Sequence, residues 1–236
     1  MNDSIAVLIR HAEYHQLTNT PSAWQPFGLT AAGFAQAVQG ADAITTFAVK
    51  NNLPLCPQID CSSLLRAWQT AEHIRCQLLD GPLSEKNDLH LASFDALAER
   101  SVGSVANLSS TQIEELARQD PRFDALPPNW KSASEFKLPF AGAESLMQAG
   151  QRVARHLLQS MQALSSSGQA CIKLFVGHGA AFRHAAYHLG ILEKKQIVRL
   201  SMFHAHPVFF RYHQNKPWQH LAGDWKIRHA GEQHKD

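Results

Sequence analysis

Residues 5–9, Ile-Ala-Val-Leu-Ile, form an unbroken apolar run that stops on Arg10 and His11. A strand with one wet face alternates apolar and polar residues. A run without alternation needs cover on both faces. Such a strand belongs inside a sheet with a layer on each side. Two further segments, 57–63 (PQIDCSS) and 171–177 (CIKLFVG), also read as strands, and each runs into a helical pattern. Leu64, Ala67, Ala71, Ile74 and Leu78 keep helical spacing over 64–79, and a helix is expected from about 180 to 190.

The remaining segments extend the alternation. Thr30 is placed to cap a helix over 30–49, with Phe34, Ala37, Ala41, Ile44 and Ala48 on one face. Residues 89–97 (LHLASFDAL) are ambiguous but fit a third strand. Thr111 and Glu114 have capping-box spacing, which opens a helix over 112–119. Residues 120–142 hold Pro121, Pro127, Pro128 and Pro139, an irregular excursion of the length used by lids and binding loops. Leu146, Ala149, Val153, Leu157, Met161 and Leu164 mark a helix over 143–164. A last strand, 207–212 (PVFFRY), opens on Pro207, which argues for its start or an edge position. The expectation is an α/β fold, a three-layer α/β/α arrangement with a mostly parallel sheet. One domain over 1–236, with an irregular insertion or lid at 120–142, fits the length.

Charge narrows the function classes. The net charge is +2 with 14 histidines neutral, too weak a field to gather nucleic acid or a membrane surface. The amino-terminal apolar run is too short for a signal peptide or a membrane span, so a cytoplasmic location is expected. Cys56, Cys61, Cys76 and Cys171 contain no CxxC pair, so no structural zinc site is expected. Cys61 and Cys171 sit in strand-like runs as small hydrophobes, which fits a reducing compartment; a Cys56–Cys76 bridge stays open.

In open α/β sheets, ligands bind beyond the carboxyl ends of the strands. Arg10 and His11 follow the first strand. Ser62 and Ser63 follow the second, with Arg66 in the next helical turn. Gly177, His178 and Gly179 follow the 171–176 strand. If these strands are neighbours, they converge on one anion pocket. A guanidinium fork matches phosphate, and helix N-termini add backbone N–H donors.

Six segments then resemble, in order, motifs of the histidine phosphatase superfamily, which includes the cofactor-dependent phosphoglycerate mutases. VLIRHAE (7–13) resembles the opening L-x-R-H-G-E/D, and GLTAAGFAQA (28–37) resembles L-T-x-x-G-x-x-Q-A. CSSLLRAWQTAEHI (61–74) resembles S-x-L-x-R-A-x-Q-T-A, and LAERSVG (97–103) resembles L-x-E-x-x-x-G. GAESLMQAGQRV (142–153) resembles the G-E-S segment, and FVGHGAAFRHAA (175–186) resembles V-x-H-G-x-x-x-R.

The resemblance implies a phosphoglycerate mutase-like fold and phosphoryl transfer without a metal or other cofactor. His11 would be the nucleophile that is transiently phosphorylated. Arg10, Arg66 and His178 would surround the phosphoryl group, with Gly179 beside it, and Glu99 would donate a proton to the leaving oxygen. A phosphate dianion close to Glu99 would favour its protonated form. A neutral imidazole needs no strong base to attack phosphorus, and fixed cations stabilise the charge spread over the transferring oxygens.

Departures from the motifs concern the substrate more than the reaction. Ala12 replaces the usual glycine, Tyr14 stands where a hydroxyl residue is common, and Leu17 where an asparagine is common. Tyr14, His15, Trp24 and Phe27 are expected to give an aromatic rim. Glu99-Arg100 resembles the mutase segment, which makes Arg100 a candidate for binding substrate beyond its phosphate. The following span has isolated Arg118 and Arg122 where the mutases carry an Arg-Arg pair. A phosphomonoesterase with a small phosphorylated substrate is therefore favoured over a mutase, and over a weakly active protein that merely captures a phosphorylated ligand. A homodimer stays open.

The other histidines have a bland reading and a sharper one. His184 and His188 lie four apart on a helix, and His204 and His206 alternate; both spacings suit a metal, but no acidic cluster completes either, so polar packing is expected. The resemblance places His204 just before the last strand, where the family's chain skirts the pocket, which leaves a rim role open. His213, His220, His229 and His234 are expected in a solvated tail.

Overall fold

A computed structural model describes residues 4–83, 88–168 and 170–228. In chain order its elements are β1 (Ser4–Arg10), α1 (Ala31–Asn51), β2 (Gln58–Ser62), α2 (Leu65–Asp80), β3 (His90–Phe94), α3 (Ser110–Gln119), α4 (Leu146–Ser166), β4 (Ile172–Gly177), α5 (Gly179–His188), α6 (Lys194–Arg199), β5 (Leu200–Met202), β6 (Pro207–Tyr212), β7 (Gln219–Ala222) and β8 (Trp225–Ile227). Six strands form one sheet in the order β3-β2-β4-β1-β6-β7, and β5 pairs with β8 apart from it.

All seven residues of β1 are buried. The strand lies between β4, which runs parallel to it, and β6, which runs antiparallel. Its side chains divide between two cores, as the period of a strand requires. Val7 and Ile9 join Ala41 and Ile44 of α1 and Ala71 and Ile74 of α2. Ala6 and Leu8 join Val153 and Leu157 of α4 and Phe182 of α5. The fold is thus an α/β arrangement with helices on both faces of a mostly parallel sheet. Among the described residues no helix is long and apolar enough to cross a membrane.

Thr30 caps α1 by accepting from the Gly33 N–H at 3.0 Å. A Cβ on Gly33 would collide with the Glu13 carbonyl, so the glycine lets α1 begin directly against the segment that follows His11. The α3 capping box is Ser109 with Gln112, not Thr111 with Glu114, and both reciprocal bonds form. Both pairs fit the same spacing. The choice follows from Ser110, which is buried and donates its N–H to the Asn19 carbonyl at 2.8 Å.

Two other expectations are corrected. Cys56 is bonded to Cys171, while Cys61 and Cys76 are free. The two bonded cysteines meet because the chain before β2 runs beside the start of β4: the Cys56 N–H donates to the Ile172 carbonyl at 2.8 Å. Cys171 is therefore not a lone small hydrophobe, no Cys56–Cys76 bridge forms, and the argument for a reducing compartment loses its basis. His220 is exposed, as expected, although it lies on β7, which extends the main sheet; His229 and His234 lie outside the described residues.

Residues 120–145 contain turns and one isolated bridge, Val102–Ala143. They are anchored all the same. Trp130 and Leu138 pack with Val102, Val105, Ile113 and Ala23 in a small separate core, and Trp130 Nε1 donates to Glu114 at 3.0 Å.

Candidate active site

The strand order puts β1, β4 and β2 side by side, so Arg10-His11, Gly177-His178 and Ser62 end at one edge. The His11 N–H donates to the Gly177 carbonyl at 2.8 Å, which holds the two strand ends level. His11, His178 and Arg66 are enclosed, and Arg10 is nearly so.

His11 Nδ1 lies 2.8 Å from the Ala12 carbonyl oxygen. A carbonyl only accepts, so Nδ1 carries the hydrogen and Nε2 keeps its lone pair. The Ala12 N–H donates to Thr70 Oγ1 at 2.9 Å, and Thr70 donates onward to the Arg66 carbonyl at 2.7 Å. The segment that carries His11 is thereby tied to the first turns of α2.

His178 is fixed as firmly. Arg66 Nη2 donates to His178 Nδ1 at 3.3 Å, and His178 Nε2 lies 2.9 Å from Ser62 Oγ. Arginine has no acceptor, so Nδ1 accepts and Nε2–H donates to Ser62. The His11 and His178 ring centroids are 5.1 Å apart. Burial, followed by the Arg66 charge, pushes both imidazoles well below the usual histidine value, so they stay neutral near neutral pH.

Arg66 donates to the carbonyls of Ser22 and Ala23 at 2.8 Å and of Gln25 at 3.0 Å. Its guanidinium sits 4.7 Å over the centre of the Tyr14 ring. Its Nε–H has no hydrogen-bond partner among the described residues, a buried donor in the middle of the site. Arg10 donates to the Met202 carbonyl at 3.0 Å. A Cβ on Gly179 would come within 3.0 Å of Arg10 Cδ, so glycine at the start of α5 gives the arginine stem its path.

Tyr14 is not on a rim. It is buried, its ring meets His11 edge-on at 5.2 Å, and its hydroxyl lies 2.8 Å from Ser22 Oγ. Burial raises its phenol above the usual value. Trp24 and His15 do face solvent, and Phe27 is half-buried.

Glu99 is buried, with Oε1 accepting the Arg100 N–H at 2.8 Å. It lies within electrostatic reach of Tyr14 and Arg66. The loop that presents it is clamped from α4. Arg152 donates to the carbonyls of Asp95, Ala96 and Ala98 at 3.1 Å and pairs with Glu144 at 2.8 Å. Glu144 in turn accepts the Ser101 N–H at 3.1 Å. Arg100 is buried; burial pulls its guanidinium below the usual value, and the neighbouring Glu99 and Glu144 charges offset part of that.

The paired histidines each bond to other groups. His184 bonds to the Ala180 carbonyl at 2.8 Å and to Ser134 Oγ at 3.0 Å, while His188 bonds to the Met147 carbonyl at 3.0 Å. His206 Nε2 accepts the Asp224 N–H at 3.3 Å, whereas the His204 ring lies 5.7 Å from that of His11. No group of three or more metal-ligating side chains occurs among the described residues.

Sequence reasoning did not single out Thr70, Ser22, Gln25 or Arg152. Thr70 lies one helical turn after Arg66, and Arg152 one face along α4 from the G-E-S segment, so both positions were available as signals. Ser22 and Gln25 lie in a loop with no periodicity to read.

The family model described as histidine phosphatase superfamily (branch 1) matches residues 6–224. A 2,3-bisphosphoglycerate-dependent phosphoglycerate mutase of Rhizobium rhizogenes is 25% identical over 206 residues, 87% of this chain and 88% of that protein. A mycobacterial glucosyl-3-phosphoglycerate phosphatase superposes with a TM-score of 0.64 at 19% identity, covering 95% of this chain and 97% of the other. A phosphoserine phosphatase of Entamoeba histolytica, solved with 3-phosphoglyceric acid, gives 0.64 at 19% identity over 94% and 96%.

Proposed function

Because the chain belongs to the histidine phosphatase superfamily (branch 1), we propose that it is a phosphomonoesterase working through a phosphohistidine on His11. The observation that carries this is the hydrogen bond from His11 Nδ1 to the Ala12 carbonyl, which leaves the Nε2 lone pair available inside a buried cationic centre. Nε2 attacks phosphorus, and the bond from phosphorus to the ester oxygen breaks. Glu99 supplies the proton to that oxygen. Water then attacks the phosphohistidine, gives its proton to Glu99 and releases phosphate. Arg10, Arg66 through its open Nε–H and the Gly179 N–H are the groups assigned to the phosphoryl oxygens, while His178, engaged at both ring nitrogens, holds Arg66 and Ser62 beside them. These fixed charges take the place of a metal, so no cofactor is required.

Hydrolysis is favoured over mutase transfer because two exposed cations are engaged in ion pairs within their own segment. Arg118 pairs with Glu115 and Arg122 with Asp120, and their side chains are 69% and 76% exposed. A mutase keeps one specific observation in its favour: Arg100 is buried next to Glu99 and could hold a carboxylate. The substrate is a small phosphorylated molecule, with Tyr14 and Arg100 as further contacts and the 120–142 segment as its lid.

The test uses purified protein with p-nitrophenyl phosphate and with 3-phosphoglycerate. Hydrolysis of the aryl ester that survives chelator, without formation of 2-phosphoglycerate in the presence or absence of bisphosphate primer, is the expected result. Formation of 2-phosphoglycerate that depends on the primer would replace phosphatase by mutase.

A further inference from the structure

His204 lies on the turn between β5 and β6, and the fold delivers it to the nucleophile. The Ala205 N–H donates to the Arg10 carbonyl at 2.9 Å, just beyond the last paired residues of β1 and β6. Ala205 has φ of 50°, a left-handed conformation that turns the chain sharply between the two histidines. Gly40 of α1 packs against the Ala205 carbonyl so closely that a Cβ there would collide with it. The turn is therefore pinned on two sides. It sends His206 toward Phe203 and Asp224, and places the His204 ring 5.7 Å from His11 at an interplanar angle of 36°.

The donors around His11 give that placement a use. His178, at 5.1 Å, has both ring nitrogens engaged, one by Arg66 and one by Ser62. Arg66 spends its terminal nitrogens on the Ser22, Ala23 and Gln25 carbonyls and on His178. A phosphoryl group on Nε2 spreads charge over three oxygens and needs donors in several directions. Among the described residues, His204 is the other imidazole in ring contact with His11.

We propose that His204 is a further catalytic residue: its imidazole N–H donates to a non-bridging oxygen of the phosphoryl group as that group moves onto and off His11. No proton need be transferred, because an imidazole carries an N–H in either protonation state. The assignment rests on the phosphohistidine reading above. It fits phosphomonoesters in general, because the contact is to the transferring group and not to the alcohol.

The experiment compares wild type with His204→Ala, His204→Asn, His204→Gln and His11→Ala on p-nitrophenyl phosphate. Orthovanadate, which takes the five-coordinate shape of the transfer state, is titrated by calorimetry. His204→Ala is expected to lose on the order of a hundredfold in kcat/KM, and vanadate affinity is expected to weaken by a similar factor. His204→Asn or His204→Gln, which keep an N–H donor, should recover at least part of both. If His204→Ala stays within twofold of wild type, or if all three variants lose activity while vanadate affinity is unchanged, His204 does not contact the phosphoryl group. If His204→Ala does not fold, the vanadate affinities of the amide variants decide: tight binding supports the contact, and loss in both overturns it. His11→Ala separates the two ideas. If it is as active as wild type, the phosphohistidine reading fails; if it is inactive while His204→Ala is normal, only the role of His204 fails.

Discussion

Arg66 donates to Nδ1 of His178 across 3.3 Å, and this one contact sets which nitrogen of His178 carries its proton. The same guanidinium holds the 22–25 segment through three carbonyls. Lysine cannot reproduce that planar fork. Arg66→Lys is expected to lower kcat/KM by roughly a hundredfold to a thousandfold and to lower stability by about 1–3 kcal/mol, as buried carbonyls lose donors. Steady-state kinetics with thermal unfolding checks both; a variant that loses neither would mean that Arg66 only fills space.

Arg152 positions Glu99 by gripping the carbonyls of the loop that presents it, that of Glu99 included at 3.5 Å. If Glu99 protonates the leaving oxygen, Arg152→Ala should slow alkyl phosphates more than aryl phosphates, whose leaving groups need little help. A loss of about tenfold in kcat on an alkyl ester is expected, within the range of general-acid effects. Equal losses across a leaving-group series would remove Glu99 from the acid role.

Acid should destabilise the fold before carboxylates titrate. Burial pushes His11 and His178 well below the usual value and His184 to about 4. The unfolded chain takes up protons near pH 6.5 that these side chains refuse in the fold, so the unfolded state binds more protons and stability rises with pH. Their contribution is fully present above about pH 6.5 and falls away as pH drops toward 4, at up to about 1.4 kcal/mol per pH unit for each group. Urea unfolding at pH 7.5, 6 and 5 measures it. Equal stability at all three would contradict the neutral buried histidines.

The Cys56–Cys171 bond closes a sequence separation of 115 residues. Cys56→Ser is expected to cost about 2–5 kcal/mol. Thiol titration of the unreduced, denatured protein should find only Cys61 and Cys76. Four free thiols would show that the bond does not form.

How much of this was legible in the sequence depended on range. IAVLI and CIKLFVG read as buried strands because their apolar runs have no gaps, and from there the convergence of His11, Ser62, Arg66 and His178 followed from strands being neighbours. Tyr14 was misplaced on a rim because its position in the chain says nothing of Ser22 and Arg66, which draw it inward. The Cys56–Cys171 pair was hidden for the same reason, since only the packing of the β2 approach against β4 brings them together. The capping box of α3 slipped by two residues because two pairs satisfy one spacing, and a tertiary bond to Asn19 chooses between them. For His204 the sequence offered only a rim position by resemblance, because the left-handed turn at Ala205 that aims it leaves no mark in composition or periodicity.

The central claim is a covalent bond between phosphorus and His11. It is tested most directly by mixing the protein with excess radiolabelled phosphomonoester, quenching during turnover and mapping the label. The account predicts a label that survives alkali, is lost in acid, resides on the peptide containing His11 and is absent from His11→Ala. Full turnover with no label on that peptide, together with wild-type activity in His11→Ala, would contradict it.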